Sequence, residues 1–160
     1  MAKASGIQTR IRADTSTGGL YDISGDVTNM DFAMPRGVQD ITSINRSAME
    51  RILLLSDISG TINGIWNPNG VDTSCSHEVF RTVSVSSTGN RRLDVTIGSS
   101  GAPVLTDPQL SGDTVTSSGI LVLFTDYALT RAQGGEMTWT VPFVLGSGII
   151  PFWGTSGLAQ

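Results

Sequence analysis

His77 is the chain's one histidine, and it stands in the run Cys75-Ser76-His77-Glu78. Cys, His and Glu all ligate zinc, but a closed structural site takes four ligands and no second cluster supplies the rest. Cys75 and His77 could also act as a nucleophile and its base. Residues two apart on a strand or helix rarely meet in the geometry this needs. A Ser-His-Asp triad would have to use the same histidine, and no Gly-x-Ser-x-Gly marks its serine. Gly98-Ser99-Ser100-Gly101 lacks the Lys-Ser/Thr ending of a phosphate loop. Asp22, Asp26, Asp31 and Asp40 lie close together without calcium-loop spacing and read as strand ends and turns. The expectation is no metal, no cofactor and no enzyme. Trp66, Trp139 and Trp153 with Tyr21 and Tyr127 could line a sugar-binding face, yet Trp139 stands in an apolar row, which favours core packing.

The elements that would position these residues are mostly strands. Met30, Phe32 and Met34 recur at every second position between Val27 and Met34, and Pro35 ends the run. Residues 58–66 read as a glycine-interrupted strand turned over by Asn67-Pro68-Asn69-Gly70. Leu93, Val95 and Ile97 alternate in another strand, and 119–127 begins apolar on both faces, as a doubly covered strand does. The clearest alternation is Met137, Trp139, Val141, Phe143 and Leu145 against Glu136, Thr138, Thr140, Pro142 and Val144. Gly134-Gly135 suits a hairpin turn joining it to the 119–127 strand, and Pro142, with no N–H, belongs at an edge or bulge. Residues 45–55 instead show helical spacing, with Ser43 or Asn45 as the cap, and predict one α-helix. A shorter helical turn is predicted about Glu78–Thr82. Residues 14–20 and 99–118 read as loops.

Composition bounds the function. The 160 residues are one domain's worth of chain, able to bury a sizeable core. One cysteine forms no internal disulfide. Charged residues make up 15%, and Gly, Ser and Thr fill the gap with 19, 19 and 18 residues, which fits a β-rich chain whose surface is largely covered by neighbours. Nine arginines against one lysine lean the same way. The formal net charge of −4 and the lack of any basic cluster beyond Arg91-Arg92 argue against gripping nucleic acid. No apolar stretch reaches membrane-spanning length. The opening Met-Ala-Lys-Ala-Ser-Gly has no apolar signal-peptide core, so folding in a cytoplasm is expected.

The order of the pieces carries a resemblance. Asp-Ile-Ser-Gly-Asp-Val-Thr-Asn-Met-Asp-Phe-Ala-Met-Pro-Arg-Gly-Val-Gln-Asp-Ile-Thr (22–42) runs into Asn-Arg-Ser-Ala-Met-Glu-Arg-Ile-Leu-Leu-Leu (45–55), and a glycine-spaced strand then ends in Trp-Asn-Pro-Asn-Gly (66–70). Gly134-Gly135, Thr-Trp-Thr-Val-Pro (138–142) and Pro151, Trp153 and Gly154 follow. This resembles the tail tube (major tail) proteins of long-tailed, siphovirus-type bacteriophages, particularly those infecting actinobacteria. The likeness spans most of 21–154 and is least at 71–118.

The resemblance implies a mainly β (α+β) fold: two packed β-sheets, as a sandwich or partial barrel, with one flanking α-helix. It implies a single domain over 1–160, with 1–20 an N-terminal arm or first strand and 146–160 a C-terminal arm. Copies would join into hexameric rings whose inner sheets form one β-barrel, and stacked rings would make the tube that DNA passes through during ejection. A tape measure protein, tail-tip proteins and a tail terminator protein are the implied partners, with the virion tail as the location. An acidic wall lets DNA slide without sticking. The alternation places Asn29, Asp31, Thr61, Asn63, Glu136, Thr138 and Thr140 opposite the core, and these are the candidate lumen-facing residues. Two other readings fit: a non-polymerising β-sandwich binding or decoration module of a virion, and the inner tube of a contractile injection system.

Overall fold

The computed structural model describes residues 9–15, 19–67, 75–85, 89–98, 107–112, 119–149 and 151–155. In chain order the strands are β1 (Thr9–Asp14), β2 (Leu20–Asp22), β3 (Val27–Ala33), β4 (Arg36–Asp40), β5 (Arg51–Ser56) and β6 (Ser59–Ile65). Helix α1 (Ser76–Phe80) follows, then β7 (Arg91–Ile97), β8 (Pro108–Ser111), β9 (Ile120–Phe124), β10 (Ala128–Arg131), β11 (Met137–Leu145) and β12 (Phe152–Thr155). Ten strands form one sheet with the path β12-β8-β7-β9-β11-β6-β3; β1 pairs with β7 and β2, and β10 with β11. Strands β4 and β5 form a small second sheet. Where two packed sheets are expected, a single large sheet curls on itself. Its two ends approach each other, with the rings of Phe32 (β3) and Trp153 (β12) 6.1 Å apart.

The alternating rows build the core. Trp139, Val141 and Phe143 of β11 are buried, as are Ile62 of β6, Leu93 and Val95 of β7, and Ile120 and Val122 of β9. Each such side chain contributes about 1.5–3 kcal/mol when taken out of water. A register shift between Val27 and Asn29 inserts one residue into β3, so that Val27, despite its odd spacing, faces the core with Met30 and Phe32. Gly64 lies directly opposite Trp139, and a Cβ there would collide with the Trp139 ring and the Asp26 carbonyl. The indole fills that space, and its Nε1–H donates to the Ile65 carbonyl at 2.9 Å.

Pro142 sits at neither an edge nor a bulge. It pairs with Thr61 in mid-sheet, and on its other side the neighbour of β11 changes from β10, ending at Ala128–Thr140, to β9, starting at Phe124–Phe143. The missing N–H falls at that break, so no ladder bond is lost. Gly134-Gly135 accordingly lies in the turn between β10 and β11, and β9 reaches β11 as a separate partner. Of the loop expected at 14–20, residues 16–18 lie outside the described residues, while Asp14 and Leu20 are themselves paired as the ends of the antiparallel strands β1 and β2; β8 is a strand inside 99–118. Both terminal regions carry paired strands, β1 with β7 and β12 with β8. Residues 1–8, 68–70 and 156–160 lie outside the described residues.

The predicted helix over 45–55 is absent. Residues 51–56 are β5, paired with β4 through Val38–Leu53, Gln39–Ile52 and Asp40–Arg51. Helix propensity differs by only a few tenths of a kcal/mol per residue, and local side-chain bonds offer the backbone another course. The Asp40 carboxylate accepts the Thr42 N–H at 2.9 Å and its hydroxyl at 2.5 Å. Thr42 Oγ1 accepts the Glu50 N–H at 2.7 Å, and the Ile41 N–H donates to the Glu50 carbonyl. Those contacts hold the two arms together. The short predicted helix is present two residues earlier than its expected place, as α1.

Candidate functional site

The core-facing rows leave a second face on β3, β6, β11 and β10. Residues directly opposite in adjacent strands share a face. Asn29 pairs with Asn63 and Asn63 with Thr140; Asp31 pairs with Thr61; Thr138 pairs with Ile65 and with Thr130. Six of the seven residues singled out from the sequence therefore lie together on one polar face. Asn29, Asp31 and Thr138 are exposed, while Thr61, Asn63 and Thr140 are half-buried. Thr140 Oγ1 donates to Asn63 Oδ1 at 2.9 Å, joining the two middle strands on that face. Glu136 is exposed in the turn before β11 and stands outside the row.

Sequence reasoning missed Ala128 and Thr130, which extend the same face through β10. Their signal was the short Ala-Leu-Thr-Arg segment before Gly134-Gly135, whose partner is the start of β11 rather than the 119–127 strand. A shallow depression of about 490 Å³ lies beside the row, lined by Asp31, Ala33, Ser59, Thr61, Pro142 and Val144 among others. The face residues Asn29, Asp31, Thr61, Asn63, Thr138 and Thr140 bring one carboxylate and no cation. Among the described residues β3 pairs only with β6, and β10 only with β11. The outer edges of both strands thus offer unpaired N–H and C=O groups.

The hairpin formed by β4 and β5 is a separate surface, also missed from the sequence. Ile44 at its tip and Leu55 in β5 are about fully exposed, at 106% and 90%, and Val38, Met49 and Leu53 each exceed half.

The residues of the Cys75-Ser76-His77-Glu78 run are engaged in holding α1. The Asp26 carboxylate accepts the Ser76 N–H at 2.8 Å and the Asn67 amide at 3.2 Å, so a carboxylate fifty positions earlier satisfies the helix start where Cys75 offers no side-chain cap. Cys75 Sγ donates to the Asn67 carbonyl. His77 Nδ1 lies 3.0 Å from the Tyr127 hydroxyl, with the Trp66 ring edge-on. Burial, with added repulsion from Cys75 and Asp26, pushes the Tyr127 phenol up to about 12. Phe80 of α1 packs on Trp139, Phe124 and Tyr127 at 5.2–5.9 Å between ring centres. No group of three or more His, Cys, Asp or Glu is placed to hold a metal ion among the described residues. Trp139 belongs to the core, so the five aromatic residues form no common exposed face.

A polar network lies beyond the core row of β7. Asp94, fully buried, accepts Arg12 Nε at 2.8 Å and Gln109 Nε2 at 2.6 Å. On the core side Arg91 Nη1 donates to the Val79 carbonyl at 2.8 Å. Burial lowers the Arg91 pKa, opposed by the charge of Asp14.

The chain shares its fold with chains of gene transfer agent and anti-feeding prophage particles. The chain superposes on a chain in the helically refined, C6-symmetric tail of an empty gene transfer agent particle. The TM-score is 0.62 at 14% identity, covering 97% of this chain and all of the other. It superposes on a chain of the native gene transfer agent virion with a TM-score of 0.60 at 14% identity, covering 94% and 99%. A chain of the six-fold symmetrised anti-feeding prophage baseplate gives 0.60 at 8% identity, covering 99% of both. No protein-family profile and no curated protein sequence matches the chain.

Proposed function

We propose that this protein is a non-enzymatic structural subunit of a phage-type tail, and specifically a tail tube protein whose copies close into hexameric rings that stack around a DNA channel. The observation that carries the reading is the polar face of β3, β6, β11 and β10, bounded on both sides by free strand edges. Directions alternate across these four strands, so β10 of one copy and β3 of the next meet antiparallel when copies are related by rotation about an axis running roughly along the strands. Each contact supplies the missing ladder bonds, and a head-to-tail contact of this kind closes into a ring. Six copies of four strands at about 4.8 Å spacing give a barrel about 37 Å across between backbones, with room for a DNA duplex once side chains are added. The six-fold particles that share the fold support this symmetry.

In this reading Asn29, Asp31, Thr61, Asn63, Thr138 and Thr140 line the lumen, with Glu136 near its rim. One carboxylate and no cation per copy make a wall that repels phosphate and leaves DNA free to slide. The whole chain acts as one domain, with 1–20 an N-terminal arm or first strand and 146–160 a C-terminal arm, of which β1 and β12 pair within the chain's own sheet. A tape measure protein, tail-tip proteins and a tail terminator complete the tail, assembled in the host cytoplasm and carried in the virion. The long-tailed phages of actinobacteria remain the proposed setting, on the sequence motifs quoted above.

Negative-stain electron microscopy of concentrated protein, with and without a tail-tip complex as nucleus, tests this. Rings or hollow tubes are the expected result; monomers under both conditions reject it. The anti-feeding prophage likeness favours a second reading, the inner tube of a contractile injection machine. Co-purification of a sheath protein around the tube selects that one.

A further inference from the structure

Along an antiparallel strand the N–H and C=O of successive residues point to alternate sides. Trp66 N–H donates to the Met137 carbonyl, and Leu145 N–H to the Ile58 carbonyl. The core-row residues of β11 therefore bond toward β6, and its polar-row residues toward β10. The alternation carries through the pairs Ala128–Thr140, Thr140–Asn63 and Asn63–Asn29. It leaves two residues on each outer edge with both backbone groups unpaired among the described residues: Leu129 and Arg131 on β10, Met30 and Phe32 on β3. Leu129 is also an exposed apolar side chain, while Met30 and Phe32 are only partly buried against the core.

We infer that β10 of one copy meets β3 of the next in a single register, with Leu129 opposite Phe32 and Arg131 opposite Met30, so that Thr130 stands opposite Asp31 on the polar face. This rests on the tube reading and fixes the pairing which that reading leaves open. In this register every unpaired group on one edge meets an unpaired group on the other, and Leu129 gains Phe32 as its cross-strand neighbour. Polar must face polar, so the register can change only in steps of two residues. One step back sets Arg131 against Thr28, at the β3 bulge, and leaves Phe32 without a partner in β10. One step forward sets Ala128 against Pro35, beyond the end of β3, and leaves Met30 without one.

Ring closure selects the same register on separate grounds. Within one copy Asn29 lies straight across the sheet from Ala128, through Asn63 and Thr140. The inferred joint puts Ala33, rather than Asn29, opposite Ala128 of the next copy. That offset is about 13 Å along the strands for about 19 Å across four of them, a lean of about 35° from the tube axis. Closed barrels lean by about 35–45°, whereas Asp31 opposite Ala128 would give only about 19°. The hand agrees as well. Seen from the core side with β11 running upward, L-chirality turns the N–H and C=O of core-row residues to the right, so β6, β3 and the next copy's β10 follow on that side. The offset then makes rows fall toward the right, which is the right-handed lean that strand twist imposes. Leaning strands widen the barrel from about 37 Å to about 45 Å between backbones.

Cysteine pairs in assembled particles of the full chain test the register. Thr130 and Asp31 would form a non-hydrogen-bonded pair, whose Cα atoms about 4.5 Å apart suit a disulfide. Within one chain two strands lie between them, a separation of about 14 Å that forbids the bond. Thr130→Cys with Asp31→Cys is expected to oxidise into a ladder of covalent oligomers at least tenfold faster than Thr130→Cys with Asn29→Cys or with Ala33→Cys, one step to either side. A faster ladder from either neighbour overturns the register while leaving the tube standing. Assembled particles that crosslink from none of the three pairs overturn the β10–β3 joint itself. Helical reconstruction of tubes of the unsubstituted chain gives a second measurement that no cysteine can disturb. Strands leaning about 35° in a barrel about 45 Å wide are expected, and a lean near 19° at about 39 Å overturns the inference alone. Failure of the unsubstituted protein to assemble at all overturns both the register and the tube.

Discussion

Thr140 of β11 and Asn63 of β6 stand directly opposite each other, and the threonine hydroxyl donates to the asparagine amide oxygen at 2.9 Å. Both side chains point away from the core that Val141 and Ile62, their immediate neighbours, help to fill. One bond thus marks the boundary between the two sides of the sheet. Which side of an assembled particle this face occupies can be measured directly. Under the tube proposal, assembled particles of a Thr138→Cys variant should react with a small maleimide and resist one coupled to a large protein, because a lumen admits only the small reagent. The native Cys75 is fully buried and gives little background. Equal labelling by both reagents would put the face on the outside.

The Gly64–Trp139 contact predicts a sharp steric limit. Gly64→Ala places a methyl group into the indole ring and the Asp26 carbonyl, and overpacking of this sort costs about 1–3 kcal/mol. Gly134, whose φ of 74° lies in the left-handed region but whose Cβ position is open, should tolerate Asn far better. Urea denaturation of the two variants checks the contrast.

Asp26 should behave as a structural carboxylate. Asp26→Ala leaves the Ser76 N–H and the Asn67 amide without their acceptor, with an expected loss of about 1–3 kcal/mol. Asp26→Asn, which keeps one acceptor oxygen, should lose less. Trp fluorescence during denaturation reads both, since α1 carries Phe80 against Trp139.

Tyr127 gives a pH dependence with a defined sign. Its phenol ionises near 10.0 in an unstructured chain and near 12 in the fold. The folded state therefore holds the proton more tightly, so the associated stability is complete below pH 10 and is lost as pH rises through 12. Phenolate absorbance should show one tyrosine titrating late, and Tyr127→Phe should remove that step. Absence of the late step would contradict the burial described for this ring.

The mainly β character was legible from residues alone, because strand alternation is written at period two. Met30 and Phe32, and Trp139, Val141 and Phe143, face inward as the pattern requires. Six of the seven candidate face residues could be named for the same reason: once the apolar row is known, its alternates must share the other side.

The rest depended on contacts between distant parts of the chain. Residues 45–55 have helical spacing, yet Arg51–Ser56 is a strand because β4 lies opposite and Asp40 and Thr42 close the turn; a difference of tenths of a kcal/mol per residue yields to such pairing. That Pro142 falls opposite the break between β9 and β10, that Asp26 starts a helix fifty residues later, and that Ala128 and Thr130 join the polar face are all consequences of register. Register is a relation between strands, and no one strand's sequence contains it. The alternation determined which residues share a face; only the tertiary structure decided which strands carry that face, and where its edges lie open.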